Sequence, residues 1–155
     1  MKKLLIAVVE DDMDDRDFIC SALNDQSNNV EIVAFPGGEE FFSFLKTNTM
    51  LPDLVVTDLR MPLISGFEVI QQLKANENTK DATIVVLSTS NNNEDIEKAK
   101  KLGAAGYFVK PYNLRGYDDI KLKIMESLNF DAFSFIKTVD NFFKTFQVLL
   151  PNPTT

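Results

Sequence analysis

Asp58 closes an apolar run, Leu54-Val55-Val56-Thr57, and three acids, Glu10-Asp11-Asp12, close an earlier run from Leu4 to Val9. Ser88 follows a third run, Ile84-Val85-Val86-Leu87, and Lys110 follows a fourth, Tyr107-Phe108-Val109. If these runs are parallel strands, carboxylates, one hydroxyl and one ammonium converge on a single rim. Packed carboxylates repel unless a positive charge compensates them. Mg2+ suits such a place, because it is a hard ion that takes one or two carboxylates, keeps waters and bridges to phosphate oxygens. The predicted chemistry is the binding of a divalent cation and a phosphoryl group.

Acids at the start of a helix also cap and acidify it. That plainer reading is preferred for Asp12, Asp14, Asp15 and Asp17, whereas Glu10 and Asp11, taken with Asp58, read as metal ligands. Lys110 precedes Pro111, which biases it toward an extended backbone and holds its side chain out from the strand end as an anion clamp. Ser88 stands beside the turn formers Thr89, Ser90 and Asn91 to Asn93, and by itself reads equally well as a turn residue.

The elements that must position these groups alternate five times. Strands are expected at Leu4–Val9, Val30–Phe35, Leu54–Thr57, Thr83–Leu87 and Gly106–Val109. Most are continuously apolar, as in a parallel sheet covered by helices on both faces. Helical patterns lie between them, carrying Phe18, Ile19, Ala22 and Leu23; Phe41, Phe42 and Leu45; Phe67, Ile70 and Leu73; and Ile96, Ala99 and Leu102. Pro36-Gly37-Gly38 marks the entry to the second helix, and Gly103 sits where a glycine should close the fourth. The series predicts an α/β fold with a doubly wound, five-stranded parallel sheet, whose crevice lies at the carboxyl ends of the strands.

With 155 residues the chain suits one domain with a substantial core. A net charge of −7 argues against non-specific nucleic-acid binding, which needs a basic face. The absence of histidine excludes His-based catalysis or metal binding by this chain. Cys20 is the sole cysteine, so no internal disulfide forms; among Phe18, Ile19 and Leu23 it reads as a buried structural thiol in a reducing compartment. The apolar start after Lys2-Lys3 is cut short by Glu10 to Asp12, too soon for a signal peptide, and no run approaches the ~20 residues of a membrane span. A cytoplasmic location is expected.

Together, Val9-Glu10-Asp11-Asp12, Asp58 followed by Met61-Pro62 and Gly66, Ser88, and Tyr107 through Lys110-Pro111 resemble the receiver domain of two-component response regulators. The resemblance covers roughly residues 1–128, and no single motif carries it. Asp14-Asp15-Arg16 and the late Phe-rich segment look like a stand-alone subgroup, chemotaxis-type or phytochrome-associated. The resemblance implies the flavodoxin-like strand order 2-1-3-4-5, an order for which a chemotaxis receiver is a standard example. It also implies that Asp58 accepts a phosphoryl group from a phosphohistidine on a sensor histidine kinase or histidine phosphotransfer protein. Glu10, Asp11, Asp58 and the backbone carbonyl of Arg60 would hold Mg2+, Lys110 would pair with the phosphoryl oxygens, and Ser88 with Tyr107 would form a switch. Such a chain is a phosphoacceptor with slow autodephosphorylation and not a turnover enzyme. Ser65 stands where an acid often precedes Gly66, Thr89 is larger than the residue usual beside the switch hydroxyl, and Arg60 and Ser90 occupy positions that tune dephosphorylation in the family.

The rivals are weaker. A phosphatase of the haloacid dehalogenase type needs an acid two residues after its nucleophile, where this chain has Arg60. A flavin-binding module would need an anion-binding loop where Glu10-Asp11-Asp12 stand. The alternative of substance is a degenerate receiver working as an unphosphorylated protein-interaction module.

Residues 129–155 are expected to form a helical extension with a frayed tail and no separate output domain, so that any signal passes to an unknown downstream protein. Phe135, Ile136, Val139, Phe142, Phe143, Phe146 and Leu150 draw an apolar stripe along it. That stripe predicts either a homodimer through this helix or a helix folded back on its own domain.

Overall fold

A computed structural model describes residues 3–24 and 30–128. The order is β1 (Leu4–Val9), α1 (Met13–Leu23), β2 (Val30–Phe35), α2 (Gly38–Thr47), β3 (Leu54–Thr57), α3 (Gly66–Ala75), β4 (Thr83–Ser88), α4 (Asn93–Leu102), β5 (Gly106–Val109) and α5 (Leu114–Leu128). The five strands form one parallel sheet in the order β2-β1-β3-β4-β5, as expected. Stepping from β1 to β2 and later from β3 through β5 moves the chain in opposite directions along the sheet. Right-handed crossovers then put α1 on one face and α2, α3 and α4 on the other. α5 returns to the first face and packs on α1.

The apolar runs are what this topology requires. β3 is buried throughout, and β1 and β4 are buried beyond their first residue. Full burial of a side chain such as Val55 or Ile84 contributes about 1.5–3 kcal/mol. β2 lies at an edge, and Glu31 and Ala34 are exposed there. Asp53, just before β3, seals the lower end of β1: its Oδ2 accepts from the Leu5 N–H at 2.9 Å and its own N–H donates to the Leu5 carbonyl at 2.8 Å.

Helix ends follow local chemistry. Asp12 caps α1, accepting from the Asp15 N–H at 2.9 Å. Ser65 caps α3 in a reciprocal box with Glu68, which gives a structural reason for a hydroxyl rather than an acid there. Asn92 caps α4, and Gly103 closes it at φ 111°, a left-handed conformation that favours glycine.

Three details differ from expectation. β4 extends one residue further, to Ser88, because the Lys110 N–H donates to the Ser88 carbonyl at 2.8 Å and continues the ladder. Cys20 is only half-buried, although burial and the nearby Asp17 push its thiol pKa up. Phe18 is 43% exposed and leans on Tyr117 of α5, with ring centroids 6.3 Å apart. No helix among the described residues is long and apolar enough to cross a membrane. The apolar stripe from Phe135 to Leu150, with the expected extension and its pairing, lies outside the described residues.

Candidate functional site at the carboxyl edge of the sheet

Strand register builds the site. Val9 pairs with Thr57, so Glu10 and Asp58, the next residues on adjacent strands, leave the sheet side by side. Thr57 pairs with Val86 and Ser88 with Val109, which carries Ser88 and Lys110 to the same edge. The Asp58 N–H donates to the Val9 carbonyl at 3.1 Å, and the Leu59 N–H donates to Asp58 Oδ1 at 2.7 Å. Gly66 is required beside it, since a Cβ there would collide with the Asp58 carbonyl oxygen.

Oxygens of Glu10, Asp11 and Asp58 all lie within 4.8 Å of one another. Glu10 is 1% exposed, Asp58 is buried, and Asp11 opens to solvent. Lys110 inserts among them: its Nζ lies 2.7 Å from Glu10 Oε2 and 3.3 Å from Asp58 Oδ2. The sequence placed these four residues at one rim, and the structure gathers the three acids within 4.8 Å of one another with Lys110 in contact with Glu10 and Asp58. For the Arg60 carbonyl, no contact bears on its expected place in the metal set.

One member was missed. Asp15 Oδ2 accepts from Lys110 Nζ at 2.7 Å, so this acid of α1 also serves as a counter-ion for the lysine. The only sequence signal was the excess of acids between Glu10 and Asp17 over Arg16, the single cation of that stretch. Arg16 itself turns to the Glu10 carbonyl, donating from Nη1 at 2.9 Å.

The electrostatics follow from burial. Loss of solvent pushes the Glu10 carboxyl up to about 7, opposed by its contact with Lys110 and reinforced by the Asp58 charge. For Lys110 burial pulls down, but the bond to Asp15, the ion-pair contact with Glu10 and the Asp58 charge outweigh it, so its pKa lies above the ordinary lysine value. Glu10 Oε2 has the ammonium nearby yet makes no hydrogen bond of proper geometry. A buried carboxylate oxygen left in this way, beside two further acids, fits a divalent cation, which favours the ionised carboxylate.

Ser88 is fully buried at the end of β4 and is no turn residue; its Oγ accepts from the Ser90 N–H at 3.3 Å. Tyr107 is equally buried, and its hydroxyl donates to the Ser90 carbonyl at 2.7 Å. Burial pushes the Tyr107 phenol up, so it stays a protonated donor at neutral pH.

A family profile for the response regulator receiver domain matches residues 6–119. Response regulator Rcp1 of Synechocystis sp. is 29% identical over 116 residues, covering 72% of this chain and 79% of Rcp1. The Mn(2+)-bound form of Rcp1 superposes with a TM-score of 0.71 at 28% identity, covering 78% of this chain and 91% of that one. The phosphorylated cyanobacterial phytochrome response regulator RcpA gives a TM-score of 0.74 at 32% identity, with 80% and 92% covered. Chemotaxis protein CheV2 of Helicobacter pylori is 33% identical over 98 residues, which is 62% of this chain. The chain spans only 31% of the length of CheV2. That form of Rcp1 carries Mn2+, and in this chain Glu10, Asp11 and Asp58 form an acidic cluster whose oxygens are close enough together to hold one metal ion. The matched span takes in that cluster together with Ser88 and Lys110, and the chain belongs to the response regulator receiver domain family.

Proposed function

We propose that this receiver accepts a phosphoryl group on Asp58 from a phosphohistidine of a sensor histidine kinase or histidine phosphotransfer protein, and thereby switches a protein-interaction face. The observation that carries this reading is the convergence of Glu10, Asp11 and Lys110 on Asp58. An Asp58 carboxylate oxygen attacks phosphorus as the phosphorus–nitrogen bond breaks, and the bonding pair returns to the imidazole. The acyl phosphate is later hydrolysed by water, so the chain is a substrate of transfer rather than a turnover enzyme.

Glu10, Asp11 and Asp58, with the Arg60 carbonyl, would hold Mg2+, which when bound neutralises charge on the phosphoryl oxygens. Lys110, already 3.3 Å from Asp58, pairs with the transferred group. Ser88, at the neighbouring strand end, bonds a phosphoryl oxygen, and Tyr107 answers that movement through its bond to Ser90. The ensemble then shifts at the face of α4 and β5. Incubation with acetyl phosphate and Mg2+ should add one phosphoryl group by intact mass, and Asp58→Asn should abolish it. An unphosphorylated wild type would favour the degenerate receiver.

Dimerisation is proposed on the sequence of 129–155 alone. Phe143→Asp combined with Phe146→Asp should convert a dimer to a monomer in light scattering; a wild-type monomer at high concentration rejects the pairing. A receiver fed by a kinase in this way works in the cytoplasm.

A further inference from the structure

Outside the acid cluster, a second polar network spans the same rim. Arg60 Nη2 donates to Asp95 Oδ2 at 2.8 Å, and Ser90 Oγ donates to the same oxygen at 2.7 Å. Ser90 is a hub, since its N–H reaches Ser88 Oγ and its carbonyl accepts from Tyr107. The network therefore runs from the loop after β3, through the first turn of α4, to both members of the switch pair. Asp95 is held firmly, with its side chain 12% exposed, whereas the Arg60 side chain is 67% exposed.

We propose that Asp95 is a positioning residue that holds the Arg60 guanidinium on the α4 side of the rim, in reserve as a second phosphoryl-binding cation beside Lys110. Arg60 stands two residues from Asp58 in the loop that leaves β3. With its guanidinium in solvent and its carboxylate largely sheltered, the pair is of modest strength and partly screened, which is the property a releasable clamp needs. A phosphoryl group on Asp58 replaces the single carboxylate charge with close to two, carried on oxygens that match a guanidinium fork. It competes with Asp95 for Arg60, while Lys110 is shared among Glu10, Asp15 and Asp58. When Arg60 leaves, Asp95 keeps its bond from Ser90 but loses a cation. Arrival of phosphate is thereby felt at the start of α4 and at Ser90.

The inference rests on Asp58 as phosphoacceptor, and the experiment separates the two. The rate of phosphorylation by acetyl phosphate with Mg2+ is measured for wild type and Asp95→Asn, each also in an Arg60→Gln background. Asn keeps an acceptor for Ser90 but releases Arg60 toward an anionic donor. Asp95→Asn should raise the rate about three- to tenfold at low salt, with the gain fading near 0.5 M salt. In the Arg60→Gln background the gain should be absent. No gain, or the same gain in both backgrounds, overturns the clamp. A wild type that takes up no phosphate would instead count against Asp58 as acceptor. For that case the clamp has its own readout without a donor, the Arg60 Nε–Hε resonance. It should be motionally restricted in wild type and averaged in Asp95→Asn, and an averaged Arg60 in wild type overturns it.

Discussion

Lys110 Nζ lies closer to Asp15 Oδ2, at 2.7 Å, than to Asp58 Oδ2, at 3.3 Å. The lysine expected to meet the phosphoryl group is thus held largely by an acid of the first helix. Its ammonium also lies 2.7 Å from Glu10 Oε2, and so neutralises a part of the sheet edge that would otherwise be three carboxylates in mutual repulsion.

Removing that cation tests the balance. Lys110→Met leaves Glu10 and Asp58 buried without a charge partner, a class of change that costs about 3–5 kcal/mol. The loss should fall near the lower figure, because Glu10, with its pKa raised to about 7, can take up a proton. Urea unfolding in EDTA measures it. Added Mg2+ should stabilise the variant more than the wild type; equal gains would contradict a shared site.

Asp11 gives the complementary test. It is the open member of the acidic cluster, so, if that cluster holds Mg2+ as proposed, Asp11→Ala should weaken Mg2+ binding and phosphoryl transfer together while leaving the fold intact. Surface substitutions usually stay within about 0.5 kcal/mol. Isothermal titration with Mg2+ and thermal unfolding separate the two effects, and unchanged Mg2+ affinity would remove Asp11 from the ligand set.

Leu63 adopts φ 67° in the loop before α3 and is 80% exposed. A left-handed conformation costs a residue with a Cβ about 1–2 kcal/mol, and glycine returns about 0.5–1 of that through its freer unfolded chain. Leu63→Gly should therefore stabilise the protein by about 0.5–1 kcal/mol in denaturant unfolding. A destabilised variant would show that the exposed leucine makes a contact worth more than its strain.

At Gly66 the sign reverses. Gly66→Ala drives a Cβ into the Asp58 carbonyl, and overpacking against backbone costs about 1–3 kcal/mol or more. Because the displaced group is Asp58 itself, phosphorylation should fall along with the melting temperature. A variant that is destabilised yet phosphorylated at the wild-type rate would show that the strain is absorbed elsewhere.

Cys20 carries a pH prediction. Its pKa is raised by burial and by Asp17, so at a given pH the thiolate fraction is smaller than in a free thiol. Iodoacetamide should alkylate the native protein slowly at neutral pH, and the rate should climb only above the ordinary thiol value of about 8.5. Fast reaction at neutral pH would contradict the packing around α1.

Much of this architecture was legible in the chain. The runs at Leu4–Val9, Val30–Phe35, Leu54–Thr57 and Gly106–Val109 became strands at those bounds, and Gly103 closes α4 as its position implied. Such signals are local: a strand buried on both faces must be continuously apolar, and a left-handed helix end favours glycine. Glu10, Asp11, Asp58, Ser88 and Lys110 could be assigned to one rim because parallel strands all end on the same edge.

Which acid meets which cation was decided by tertiary structure. Lys110 and Asp15 are separated by 95 residues and Arg60 and Asp95 by 35, and no periodicity links either pair. Asp15 read as a helix-capping acid because its local position says only that, although its carboxylate reaches Lys110 at the end of β5. Ser88 read equally as a turn residue, but its pairing with Val109 and the bond from the Lys110 N–H to its carbonyl place it in β4, where it is buried. Local sequence fixes where each group leaves its own strand or helix. Contact between groups on different elements depends on how helices lie across the sheet, which is set by packing summed over the whole core.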